Sequence, residues 1–153
     1  MEFYAQKTFH QIQYTVNSII ELFSYVETKD LKFCPVEGKR SLGQLCAHLS
    51  LICSADLQIL QEASLEEMNV FYSKHAAYTK EEWMIALKQG YEDLKNYYSS
   101  IDDLTEETSS YWGTTYSYFE WLLEILLHLQ HHRAQLHQYL LLLNGNVKAT
   151  LFE

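Results

Sequence analysis

The chain has 153 residues, 48% of them apolar, with five glycines and one proline. That is long enough to bury one core without staples, and turn residues are too scarce for many short elements, so one domain over 1–153 built from a few long elements is expected. Eleven basic against 20 acidic residues give a formal net charge of −9, which excludes nucleic acid as a partner because no basic stripe offsets that field locally.

The three cysteines, Cys34, Cys46 and Cys53, have no CxxC spacing, which argues against a disulfide framework. The opening residues lack the regions of a signal peptide. The longest aliphatic run, Leu140 to Leu143, is too short to span a membrane. A reducing cytoplasm is the expected location.

In chain order, Phe9, Ile12, Val16, Ile19, Ile20, Phe23 and Val26 recur at spacings of three and four and predict an amphipathic helix over 3–26. Pro35 and Gly38 mark 28–40 as a connection. Ser41 and Gln44 have the spacing of a capping box and start a second helix, whose stripe of Leu42, Leu45, Leu49, Ile52 and Ile59 or Leu60 fades near Glu62.

Residues 63–78 are expected to be irregular. That exceeds the roughly two to eight residues usual between adjacent antiparallel helices and suits a crossover along a bundle. Thr79 and Glu82 start a third helix, with Trp83, Ala86, Leu87, Gly90, Leu94, Tyr97 and Ile101 on one face. Residues 102–113 read as an acidic loop.

Ser117 and Glu120 start the last helix, and Asn144-Gly145 stops it. It would run about 28 residues, or about 42 Å. Two apolar stripes mark it: Phe119, Leu122, Leu126, Leu129, Leu136 and Leu140 on one side, and Trp121, Ile125, His128, His132, Gln135 and Tyr139 on another. A helix covered on two sides is central to its bundle or shared with a second subunit, so a homodimer is expected.

His128 and His132 stand four apart, so both imidazoles leave one face of that helix a turn from each other. This is a metal-ligand spacing, and two unpartnered rings on a leucine-rich helix need something to satisfy them. His48, between Leu45 and Ile52 on the second helix, has the same position on an apolar stripe. A hydrogen-bonded core histidine is the plainer reading of each alone. Together they offer three nitrogens from two helices, and three protein ligands leave a position open, as in catalytic sites.

The other candidates are weaker. Glu124, four before His128, could be the acceptor that orients that ring, or merely a solvated carboxylate. His131 could orient a neighbour or face a subunit partner, and Arg133 reads as structural. His10, His75 and His137 default to the surface. Cys46 and Cys53 read as small buried hydrophobes with no base to activate them. The tyrosines and Trp112 are core or rim residues first.

The stretch Ser41-Leu42-Gly43-Gln44-Leu45-Cys46-Ala47-His48-Leu49, the run His128-Leu129-Gln130-His131-His132-Arg133-Ala134-Gln135-Leu136 and the closing Gly145 together resemble the DinB/YfiT-like metalloproteins. Their pattern is a helix-two histidine followed later by H-x-x-H-H-R-x-Q. The resemblance covers the whole chain. It implies an all-α four-helix bundle with a long connection between helices two and three, and a homodimer in many members. It also implies that His48, His128 and His132 bind a divalent metal ion, nickel or zinc. Leu129 departs from the pattern, standing where many relatives carry Glu. The family includes metal-dependent transferases that join a small-molecule thiol to an electrophile, which makes such a transferase, or a related hydrolase or isomerase, the leading expectation. The alternative is a non-catalytic metal- or small-ligand-binding stress protein.

Overall fold

The computed structural model describes residues 3–152. Its four long helices form where apolar spacing and capping boxes put them. Helix α1 (Phe3–Ser24) buries Phe9, Ile12, Val16, Ile19 and Phe23. Helix α2 (Leu42–Leu60) starts at a reciprocal cap, in which the Ser41 hydroxyl accepts from Gln44 N and Gln44 Oε1 accepts from Ser41 N at 2.9 Å.

Two expectations for the chain after α2 are corrected. Residues 63–78 are not irregular, because helix α3 (Leu65–Lys74) occupies them behind a Ser64–Glu67 capping box. It buries only Met68, so it carries no apolar stripe by which to be recognised. Helix α4 (Lys80–Ser99) follows, capped by Thr79 and Glu82.

The acidic loop contains the other departure. Strand β1 (Glu107–Ser109) pairs antiparallel with β2 (Thr115–Ser117), Thr108 opposite Tyr116. Three residues per strand are too few for a period-two pattern to show. The hairpin is held from below: Trp121 Nε1 donates to Thr108 O at 3.3 Å, and Glu62 Oε1 accepts from Ser109 N at 3.0 Å. The molecule is therefore mostly helical and not purely all-α.

Helix α5 (Tyr118–Asn144) starts at the Ser117–Glu120 box and stops at Gly145, whose φ of 64° is the left-handed conformation that glycine adopts without a Cβ penalty. The four long helices share one core. Helix α2 lies against α4 and α5, and α1 lies against the same two.

The contacts fix direction. Ser54 meets Gly90, and Gly43 and Gln44 share a cavity wall with Trp83, so α2 and α4 run the same way. The segment between them has to return along the bundle, which accounts for its length. Where they cross, a Cβ on Gly90 would overlap Ser54 Oγ and stand 3.1 Å from Ser54 N. Arg40 O at the start of α2 accepts from Tyr139 OH near the end of α5, at 3.1 Å, so those two helices are antiparallel.

The second stripe of α5 lies inside the monomer, with Trp121, Ile125 and Tyr139 all buried. It leaves no surface for a partner. The exposed apolar residues of α5 are instead Leu123, Leu127 and Leu142. Among the described residues no helix is long and apolar enough to cross a membrane.

Candidate metal centre

The antiparallel pairing of α2 and α5 brings His48 against both His128 and His132. Their ring centroids lie 5.2 and 4.5 Å from His48, and 5.0 Å from each other. One ligand atom from each of the three falls within 4.8 Å of the other two. His132 is buried, and His48 and His128 are half-buried.

The outer nitrogens of His128 and His132 are already engaged. Asp56 Oδ2 lies 2.9 Å from His128 Nδ1, and Gln135 Oε1 lies 2.7 Å from His132 Nδ1. Carboxylate and amide oxygens only accept, so both histidines carry a proton on Nδ1 and present Nε2 inward. The Gln135 amide nitrogen points the other way, 3.1 Å from His131 Nε2, which gives that amide one consistent orientation. His48 Nε2 lies 3.2 Å from His128 Nε2. Two lone pairs cannot face each other at that distance, so in the neutral cluster His48 Nε2–H donates to His128.

Electrostatics separate the three rings. Burial pushes His48 down to about 3, and the charge of Arg40 adds to it. Burial also lowers His132 to about 4. The same burial acts against a charged His128, but the hydrogen bond and charge of Asp56, helped by Glu124, outweigh it and raise His128 above its ordinary value. Near neutrality His48 and His132 are unprotonated bases, the form in which imidazole binds metal.

The donor set suits a divalent ion. Nitrogens on a tetrahedral ion at about 2.0–2.1 Å stand about 3.3 Å apart. The His48–His128 pair already meets that separation, and the third ring would close by a small side-chain movement. Two of the three have the outer acceptor that fixes ring orientation in metal sites. Among the described residues no carboxylate or thiolate joins the cluster as a fourth donor.

Asp56 was not anticipated; Glu124 was the candidate for its role, with a solvated carboxylate as the alternative. Glu124 is exposed and acts on His128 only through its charge. Asp56 is the one carboxylate in the apolar sequence of α2, and that isolation was the available signal.

The remaining candidates fall outside the cluster. His131 and His10 are exposed, and His75 stacks on Phe71 at the end of α3. Arg133 is buried and structural. It donates to Ser18 Oγ, Gln130 Oε1 and Leu151 O, fastening the C-terminal segment to α1 and α5. Cys46 and Cys53 are buried thiols whose pKa burial raises, which leaves neither as a nucleophile.

No family model matches this sequence, and no curated protein matches it. Solved structures do. A crystal structure from Exiguobacterium sibiricum 255-15, ascribed to the DinB family, is 33% identical over 99% of each chain, with a TM-score of 0.87. DinB-like proteins from Bacillus subtilis and Bacillus cereus ATCC 10987 are 16% and 15% identical, with TM-scores of 0.70 and 0.74. They cover 94% and 95% of this chain and 96% of their own, and at that identity they bear on the fold alone. Identity over the full length, with the same arrangement of helices, makes this chain a member of the DinB family.

Proposed function

We propose that the chain is a single-domain four-helix-bundle metalloprotein that holds one divalent ion, nickel or zinc, on the Nε2 atoms of His48, His128 and His132. The observation that carries this is the convergence of three imidazoles, two of which, His128 and His132, have their outer nitrogens taken up by Asp56 and Gln135. Asp56 fixes the tautomer and plane of His128, and Gln135 does the same for His132. His48 turns its Nε2 lone pair inward when its proton moves to Nδ1.

The activity proposed for this site is transfer of a small-molecule thiol to an electrophile. A divalent ion there would supply the positive charge that lets a thiol lose its proton at neutral pH. The chain contributes orientation, and the neutral ligand set leaves the ion's charge for an incoming anion. In the reaction the thiol proton leaves to solvent, the S–C bond forms, and the electrophile's leaving group departs with its electron pair. A related hydrolase or isomerase would use the same site. We further assign the protein to the cytoplasm, and to a homodimer formed through Leu123, Leu127 and Leu142 on the outer face of α5.

Elemental analysis of the purified protein tests the metal reading. About one divalent ion per chain is expected, lost in His48→Ala and in His128→Ala; full occupancy in both variants overturns it. Turnover of several small thiols with monochlorobimane, dependent on the metal and absent in His132→Ala, tests the transferase. If the ion and thiol both bind but nothing turns over, the binding-protein reading replaces it.

A further inference from the structure

Two cavities reach the histidine cluster from different sides, and their walls carry opposite charge. One, of about 340 Å³, is bounded by His128 with the carboxylates of Asp56 and Glu124 and by aromatic residues of the hairpin. The other, of about 580 Å³, has His48 and Arg40 on its wall and Leu31, Leu51 and Trp83 as its apolar lining. Tyr72 of α3 borders both. The larger volume lies within the roughly 300–1,000 Å³ usual for small-molecule sites.

Arg40 is the one formally charged residue on the wall of the larger cavity. Among the described residues no carboxylate lies within ion-pair distance of it. Its main chain is pinned, since Arg40 O accepts from Tyr139 OH and Ser41 caps α2 immediately after it. An exposed guanidinium with no ion-pair partner among the described residues, on a fixed backbone beside an apolar cavity, is suited to bind a planar anion through paired N–H donors.

We propose that this cavity is the subsite for an organic anion, its carboxylate or sulfonate held by Arg40 and its apolar body laid on Leu31, Leu51 and Trp83, so that its far end reaches His48. The anion cannot use the smaller cavity, where Asp56 and Glu124 repel it. This names the substrate class of the site under Proposed function and rests on that reading for the reaction, although binding of the anion does not itself require the ion.

The test compares two fluorescent dyes of similar apolar body, anionic 8-anilinonaphthalene-1-sulfonate and neutral N-phenyl-1-naphthylamine, titrated into metal-free and zinc-loaded protein. The wild type should prefer the anion in both states. Arg40→Gln should weaken the anion about tenfold or more and leave the neutral dye unchanged, as loss of a charge-assisted hydrogen bond requires. Arg40→Lys should recover part of the preference. Lys39→Gln, which removes a neighbouring charge outside this cavity, should change neither dye.

Equal losses in Arg40→Gln and Lys39→Gln, or no preference for the anion in the wild type, overturn the subsite. Zinc content is measured on the same samples. A wild type that holds no zinc but discriminates the dyes through Arg40 overturns the metal reading and supports the subsite. A wild type that holds zinc without such discrimination does the reverse.

Discussion

Asp56 on α2 and His128 on α5 meet at 2.9 Å, carboxylate oxygen to ring nitrogen, and this contact fixes which nitrogen of His128 faces the cluster. The carboxylate also makes His128 a stronger base, as its upward shift shows. Asp56→Ala should therefore weaken metal affinity by about 10- to 100-fold. Asp56→Asn, which keeps an acceptor but not the charge, should lose less. Competition against a chromogenic chelator measures both, and unchanged affinity in Asp56→Ala would remove the carboxylate from the site.

The pH dependence of metal binding should trace to one ring. His48 and His132 are already unprotonated at pH 6, with folded values of about 3 and 4. His128 is raised above 6.5 and is the ring at which protons compete with the ion. Apparent affinity should fall by about tenfold per pH unit below the His128 value, a slope of one proton. In Asp56→Asn the break should move to lower pH. A slope of two or three protons near neutrality would contradict the assigned charge states.

Stability of the metal-free protein should respond to pH with a worked sign. His48 and His132 are depressed below their unfolded value of 6.5, so as pH falls protons bind the unfolded chain first. Their contribution is present above pH 6.5 and lost progressively between 6.5 and about 3. His128 acts oppositely, its contribution being present below 6.5 and lost as pH rises through its raised folded value. Urea midpoints at a series of pH values should fall below pH 6.5, and fall less steeply in His48→Gln. An identical decline in that variant would mean His48 is not held neutral.

Gly90→Ala should destabilise the protein although alanine is the better helix former by about 1 kcal/mol. The added methyl would overlap Ser54 Oγ and press on Ser54 N, and overpacking of that kind costs about 1–3 kcal/mol. Chemical denaturation measures it. Adding Ser54→Ala removes the nearer obstruction and should restore part of the loss, whereas additive effects would show that the two sites do not touch.

The exposed leucines of α5 bear on assembly. Leu127 is 63% exposed and Leu142 67%. Light scattering at micromolar concentration should give twice the 18.0 kDa chain mass, and Leu127→Glu should return it to the monomer. A wild-type mass near 18.0 kDa rules out the dimer.

The long helices were legible because each joins a capping box to an apolar stripe, two signals that agree. Helix α3 has the box at Ser64 and Glu67 but no stripe, because Leu65, Val70 and Tyr72 face outward. The hairpin has neither signal and depends on Trp121 and Glu62, which are remote in sequence. Within the cluster, spacing on α5 pointed to His128 and His132, and an apolar setting pointed to His48. Helical spacing favoured Glu124 over Asp56 because it reports neighbours on one helix, whereas the acceptor comes from the helix opposite.

Helix α3 buries only Met68 fully, with Phe71 packed against the core, yet it carries the Tyr72 that stands between the two cavities. A segment with so little buried surface opens locally at a small fraction of the global unfolding free energy. Its amides should exchange with deuterium far sooner than those of α2 or α5. The partition at Tyr72 is then the part of the wall that yields first, while the histidines stay on the two helices that yield last.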